Sequence, residues 1–87
     1  MDENIYKPFT ERNAQEWWMH FIEIKKTDGT VEQGRFTEWY DDDEIEGEKA
    51  CIGLNIANQI GAVVHVEFDE IVGARHIPRM WTSSWEK

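Results

Sequence analysis

The stretch Phe21-Ile22-Glu23-Ile24-Lys25-Lys26-Thr27-Asp28-Gly29-Thr30-Val31-Glu32-Gln33-Gly34-Arg35-Phe36 decides the fold. From Trp18 onward the apolar period is two: Trp18, His20, Ile22 and Ile24 share one face, and Met19, Phe21, Glu23 and Lys25 share the other. That alternation predicts a strand whose first half is buried on both sides. Asp28-Gly29 supplies the positive φ angles of a tight primed hairpin turn, so an antiparallel strand returns at once through Val31, Gln33, Phe36 and Trp39. Gly34 stands inside that second strand, where a glycine marks a bulge or a sharp bend. The out-of-step positions of Val31 and Phe36 agree with a phase change there.

Upstream, the segment from Phe9 to Trp18 carries helix signals, with Pro8 outside, Thr10 placed to cap, and good helix formers after it. A short N-terminal helix is expected. Downstream, Asp41-Asp42-Asp43-Glu44-Ile45-Glu46-Gly47-Glu48 is a run of acids whose mutual repulsion favours an exposed loop. Ile52, Leu54 and Ile56 then alternate with Cys51, Gly53 and Asn55 as a third strand. Asn58-Gln59-Ile60-Gly61 turns the chain into a fourth, Ala62 to Phe68, with Val64, Val66 and Phe68 inward. After a break at Asp69-Glu70, a fifth strand runs from Ile71 to Ile77 and stops before Pro78, which has no N–H for a ladder.

Five short strands with tight turns bury their apolar faces by curling one strongly bent antiparallel sheet into a small barrel, with the helix over one open end. The expected organisation is a single domain over residues 1–78 and a Trp-containing tail over residues 79–87.

Composition narrows the function. The chain has 87 residues, a formal net charge of -9, one cysteine and 40% hydrophobic residues, which describes one small acidic domain. Nucleic acids and anionic membranes, held mainly through phosphate neutralisation, are disfavoured partners at long range. The acidic loop holds much of that charge: with its six acids set aside, twelve acids face nine Lys and Arg in the rest of the chain. The lone Cys51 offers no internal disulfide, and Met1-Asp2-Glu3-Asn4 lacks a basic segment followed by an apolar run. No stretch approaches the roughly 20 apolar residues that span a bilayer. A cytoplasmic protein without membrane contact is expected.

The order of short helix, strand, Asp28-Gly29, four residues, Gly34, one residue and Phe36 resembles the first motif of Sm and Sm-like proteins. In that family the second glycine lets the second strand bend. The stretch from Val64 to Ile77 resembles the family's paired fourth and fifth strands, so the likeness covers residues 9–77. It implies an Sm-like or SH3-like barrel and assembly through edge strands four and five. Members that bind uridine-rich RNA carry an Asp and a Met-Asn pair after the second strand, and an Arg-Gly or Lys-Gly pair before the last. Here the acidic run from Asp41 and Asp69-Glu70 occupy those places, which puts negative charge where the family binds RNA.

Metal, nucleophile and phosphate chemistry each lack a residue pattern that would carry them. An EF-hand reading of the acidic run from Asp42 fails at Gly53, where the bidentate carboxylate belongs. His20, His65, His76 and Cys51 have no zinc-ligand spacing, and His20 reads as a packed core histidine. Ser83 and Ser84 lie in the tail, and the glycines are isolated, so neither a nucleophile with its base nor a phosphate cradle is indicated. No catalytic, cofactor or metal residues are expected.

Trp17, Trp18 and Trp39 have homes in the core. Trp81 and Trp85 either fold back over an open barrel end or bury against another chain. With Asp41, Asp42, Asp43 and Glu44 they are the candidate partner contacts, while Asp28, Gly29 and Gly34 determine the fold. The expected function is a non-catalytic binding and assembly module acting through self-association, as a homo-oligomer, and through contacts with an unidentified protein partner. An RNA-binding ring subunit is the alternative, favoured only if Arg35, Lys25, Lys26, Arg75 and Arg79 gather around a pore or cleft. An acidic decoy that mimics nucleic acid, using Asp41 to Glu44 on a basic partner, is the third reading.

Overall fold

A computed structural model of the chain describes residues 5–44, 46–47 and 49–81. Five strands, β1 (Phe21–Lys26), β2 (Val31–Tyr40), β3 (Cys51–Asn55), β4 (Val63–Glu67) and β5 (Ile71–His76), form one antiparallel sheet in the order β4-β3-β2-β1-β5. The sheet is open. β4 and β5 are its two edges and are joined by the 3-10 turn Phe68–Glu70, so the protein is mainly β.

The hairpin falls where Asp28-Gly29 places it, with a different turn. Only Gly29 takes positive φ (91°), and Lys26 closes the loop by accepting from Gly29 N–H and donating to Thr30 C=O, each at 2.9 Å. This is a three-residue loop ending in a glycine bulge rather than a two-residue primed turn. Asp28 Oδ1 takes the Thr30 N–H (2.9 Å) and hydroxyl (2.6 Å), which holds the Asp28 carboxyl below its usual range and makes the primed geometry unnecessary.

β2 bends because its halves serve different neighbours. Val31 to Arg35 pair with β1, Arg35 to Tyr40 pair with β3, and Arg35 is the pivot, opposite both Phe21 and Asn55. The register shift expected at Gly34 lies instead between Phe36 and Glu38. Gly34 serves closeness: a Cβ there would stand 2.6 Å from the Asn55 carbonyl oxygen. Only a glycine allows β3 to approach β2 at this point.

The expected N-terminal helix is a single 3-10 turn, Ala14–Trp17. Asn13 is the cause. Its side chain accepts the Thr10 N–H (2.9 Å) and donates to the Pro8 carbonyl (3.0 Å), tying the chain into a turn before any α-helical hydrogen bond forms, while Trp18 is already extended. Thr10 therefore does not cap with its side chain.

The core joins Ile22 and Ile24 of β1, Phe36 of β2, Ile52 and Leu54 of β3 and Val66 of β4 to Phe9, Ala14, Trp17 and Ala74. Val64, Phe68 and Trp39 pack against it, as the alternation predicts. Phe21 and Glu23 are also buried, on the other face of β1. Trp18 departs from the core reading: it is 40% exposed and meets Phe36 only edge-on, with ring centres 5.0 Å apart. His20, expected in the core, is exposed. Both lie just before β1, on either side of Met19, whose φ of 68° turns the chain out of the alternating pattern.

Candidate functional site

The second face of β1 carries a carboxylate, Glu23, held by donors from three other parts of the chain. Cross-strand register sets Glu23 opposite Gln33 of β2 and Arg75 of β5, so three strands present one row of side chains. Arg75 binds the Glu23 carboxylate at two points, Nε–Oε2 3.0 Å and Nη2–Oε1 3.1 Å. Gln33 donates to Oε1 at 2.6 Å, and the Tyr6 hydroxyl donates to Oε2. These donors, Arg75 first, hold the Glu23 carboxyl down at about 2 despite its burial. A carboxylate saturated in this way is a structural clasp and has no lone pair left for proton transfer chemistry.

Tyr6 reaches Glu23 because the N-terminal segment straps the sheet edge. Lys7 and Ala74 exchange backbone hydrogen bonds of 2.7 and 2.9 Å, and a Cβ on Gly73 would come within 2.9 Å of the Lys7 carbonyl oxygen. The Lys25 ammonium lies over the Tyr6 ring at 5.8 Å. The β5 edge is thus closed at its centre. The β4 edge differs. The bonds from Ile56 N–H to Ala62 C=O and from Phe68 N–H to Ala50 C=O set the phase of the β3–β4 ladder. By alternation, the backbone groups of Val63, His65 and Glu67 point away from β3, and nothing among the described residues bonds to them.

A cleft of about 430 Å³ lies at the start of β1, lined by Trp18, Met19, His20, Phe21, Arg35, His76, Ile77 and Arg79. The Arg35 and Arg79 guanidinium groups both stand over Phe21, at 5.7 and 5.9 Å, and Arg35 Nε donates to the Met19 carbonyl. His76 stacks on Trp17 and meets His20 edge-on at 5.0 Å. Burial, then His20 and Lys7, lower the His76 pKa. The basic residues singled out in the sequence therefore divide. Arg35 and Arg79 come together here, whereas Arg75 is paired with Glu23, Lys26 with Glu32 (3.4 Å), and Lys25 covers Tyr6.

After β2, residues Asp41, Asp42, Asp43, Glu44, Glu46 and Gly47 of the acidic run are exposed, beside a hollow of about 560 Å³ that Glu11, Asp42, Asp43, Lys49, Phe68 and Asp69 line. Asp42 Oδ1 accepts the Ala50 N–H (2.8 Å), and Glu44 Oε1 accepts the Asp41 N–H (3.0 Å). Two of the four candidate acids thus hold the loop's own backbone. Among the described residues no group of three or more His, Cys, Asp and Glu is arranged for a metal, and no helix is long and apolar enough to cross a membrane. Trp81 packs edge-on against Phe21 with ring centres 5.0 Å apart, and Trp85 lies outside the described residues.

Sequence reasoning missed the Glu23 clasp and the strap. The signal within reach was Glu23 itself, a carboxylate alternating with apolar residues on a strand face read as buried. Its partners Tyr6 and Arg75 are not local to it in the chain. No family model, curated protein or solved structure matches this chain.

Proposed function

We propose that this chain is a non-catalytic Sm-like or SH3-like small β-barrel module that works by self-association and protein contacts. The observation that carries this reading is the sheet order β4-β3-β2-β1-β5, with a β2 bent about Arg35 and a β4 whose outer edge has no partner among the described residues. An edge of unpaired N–H and C=O groups is a template for another strand. The best-organised ionisable group, Glu23, is consumed by structural hydrogen bonds, which fits a binding module better than an enzyme.

Sedimentation velocity over a wide concentration range tests the reading. A concentration-dependent rise in mass supports it, and a monomer at the highest concentration overturns it.

RNA binding is the second reading, and the cleft in which Arg35 and Arg79 lie near the exposed Trp18 favours it, since cations next to an exposed ring suit single-stranded nucleic acid. Anisotropy with a labelled uridine-rich oligonucleotide decides: salt-sensitive binding lost in Arg35→Gln supports RNA, and no binding at low salt removes it. The acidic-decoy reading draws less support, because Asp42 and Glu44 are engaged within their own loop.

A further inference from the structure

We infer that the outer edge of β4 docks a second copy of this chain, β4 pairing antiparallel with its counterpart about a two-fold axis at His65. The inference rests on the self-association proposed above and names its surface and symmetry.

The two sheet edges are not equivalent. Head-to-tail assembly would join the β4 edge of one copy to the β5 edge of the next, and the β5 edge is occupied at its centre by the Lys7–Ala74 bonds, with Gly73 closely covered by Lys7 and Tyr6. Among the described residues nothing bonds to the outward backbone groups of Val63, His65 and Glu67 on β4. When only one edge is open, the pairing that satisfies it in both copies is isologous and closes at two.

Charge selects the same surface. Two copies of a chain with net charge -9 repel, so they must meet where acids are sparse. From Ala50 to Val66 no Asp, Glu, Lys or Arg occurs, in a chain with 31% charged residues; the acids beside this edge are Glu67, at the end of β4, and Glu38 of β2, whose Oε1 is hydrogen-bonded to His65 Nε2 at 3.2 Å. Large apolar residues are exposed at the same hairpin: Ile60 is fully exposed and Ile56 is 41% exposed, while Val63 and Val64 are half-buried. These belong to the connection between β3 and β4 and to β4 itself, next to the unpaired edge.

Alternation then restricts the register. Outward-facing residues of one copy must meet outward-facing residues of the other, so odd-numbered positions pair with odd-numbered positions. Centring on His65 overlaps the full strand Val63–Glu67. It sets Val63 opposite Glu67 of the second copy and holds the two Glu67 carboxylates at opposite ends of the paired strands. The two residues at position 65 then face each other as a hydrogen-bonded pair, with Cα atoms about 5.5 Å apart, within the span that a disulfide bridges.

The test combines sedimentation equilibrium with two variants. Val63→Pro removes an outward N–H and leaves the β3–β4 ladder intact, and His65→Cys places a thiol on the axis, with Val72→Cys on the β5 edge as comparator. The wild-type chain is expected to run from monomer to dimer, Val63→Pro to dimerise about tenfold more weakly while still folded, and His65→Cys, not Val72→Cys, to give a covalent dimer on mild oxidation. If Val63→Pro fails to fold, the cross-link decides. Wild-type assemblies larger than two, an unchanged dimer in folded Val63→Pro, or no cross-link at position 65 overturn this surface and leave self-association standing. A wild-type monomer at every concentration overturns both.

Discussion

Glu23 and Arg75, on the adjacent strands β1 and β5, meet in a two-point ion pair of 3.0 and 3.1 Å, and the Glu23 side chain is almost wholly buried whereas that of Arg75 is about a third exposed. The pair joins an interior strand to an edge strand. With Tyr6 it also ties the N-terminal strap to the sheet, so one carboxylate holds three parts of the chain together.

Removing that carboxylate strands Arg75, Gln33 and Tyr6 at once. Glu23→Ala is expected to lower stability by about 2 kcal/mol, less than a fully buried pair would cost because water reaches Arg75. Urea unfolding measures the loss. Hydrogen exchange at Lys7 and Ala74, whose N–H groups form the strap bonds, should accelerate more than exchange in β3.

The same group sets the acid limb of the stability profile. Its folded pKa of about 2 lies below its ordinary value of 4.5, so the folded state gains from ionised Glu23 above about pH 4.5 and loses that gain as pH falls towards 2. Unfolding free energy measured from pH 7 to pH 2 should decline through this window. In Glu23→Gln the decline should be shallower, and an identical slope in the two proteins would remove Glu23 as its source.

Two glycines that look alike in the sequence should respond differently. Gly29 takes φ of 91° in open space, so Gly29→Ala is expected to cost about 1 kcal/mol and leave the fold unchanged. Gly34 has ordinary φ but sits against backbone, with the Asn55 carbonyl oxygen 2.6 Å from an added Cβ. Gly34→Ala must push β3 away from β2 and is expected to cost more than about 2 kcal/mol. Thermal denaturation of both variants gives the order, and equal losses would count against a tight β2–β3 approach.

Trp81 separates a folded-back tail from a partner anchor. Its edge-on contact with Phe21 predicts that Trp81→Ala lowers stability by about 1 kcal/mol and leaves the oligomeric state unchanged. Denaturant titration and sedimentation read the two effects separately. Unchanged stability with weakened association would make Trp81 an anchor instead.

Much of this fold was legible because its signals are local. Period-two alternation through Ile22 and Ile24, then Val64 and Val66, marks strands whatever surrounds them, and Asp28-Gly29 and Asn58 to Gly61 mark turns through their own backbone preferences. The failures are where a side chain answers to something remote or reaches back on its own chain. Asn13 converts a helical pattern into a 3-10 turn, and the bulge of β2 moves past Phe36 because β3, not β2 itself, determines where the ladder slips. Arg35 and Arg79 share a cleft although nothing in their spacing brings them together.

The amino-acid sequence by itself determined where the strands and turns lie, since alternation and turn chemistry act within a few residues. Only the tertiary fold settles which sheet edge the N-terminal strap covers and which carboxylate is buried. Both depend on the N-terminal strap crossing β5, where Lys7 meets Ala74 and Tyr6 reaches Glu23, and those contacts exist only once the remote β1 and β5 are side by side.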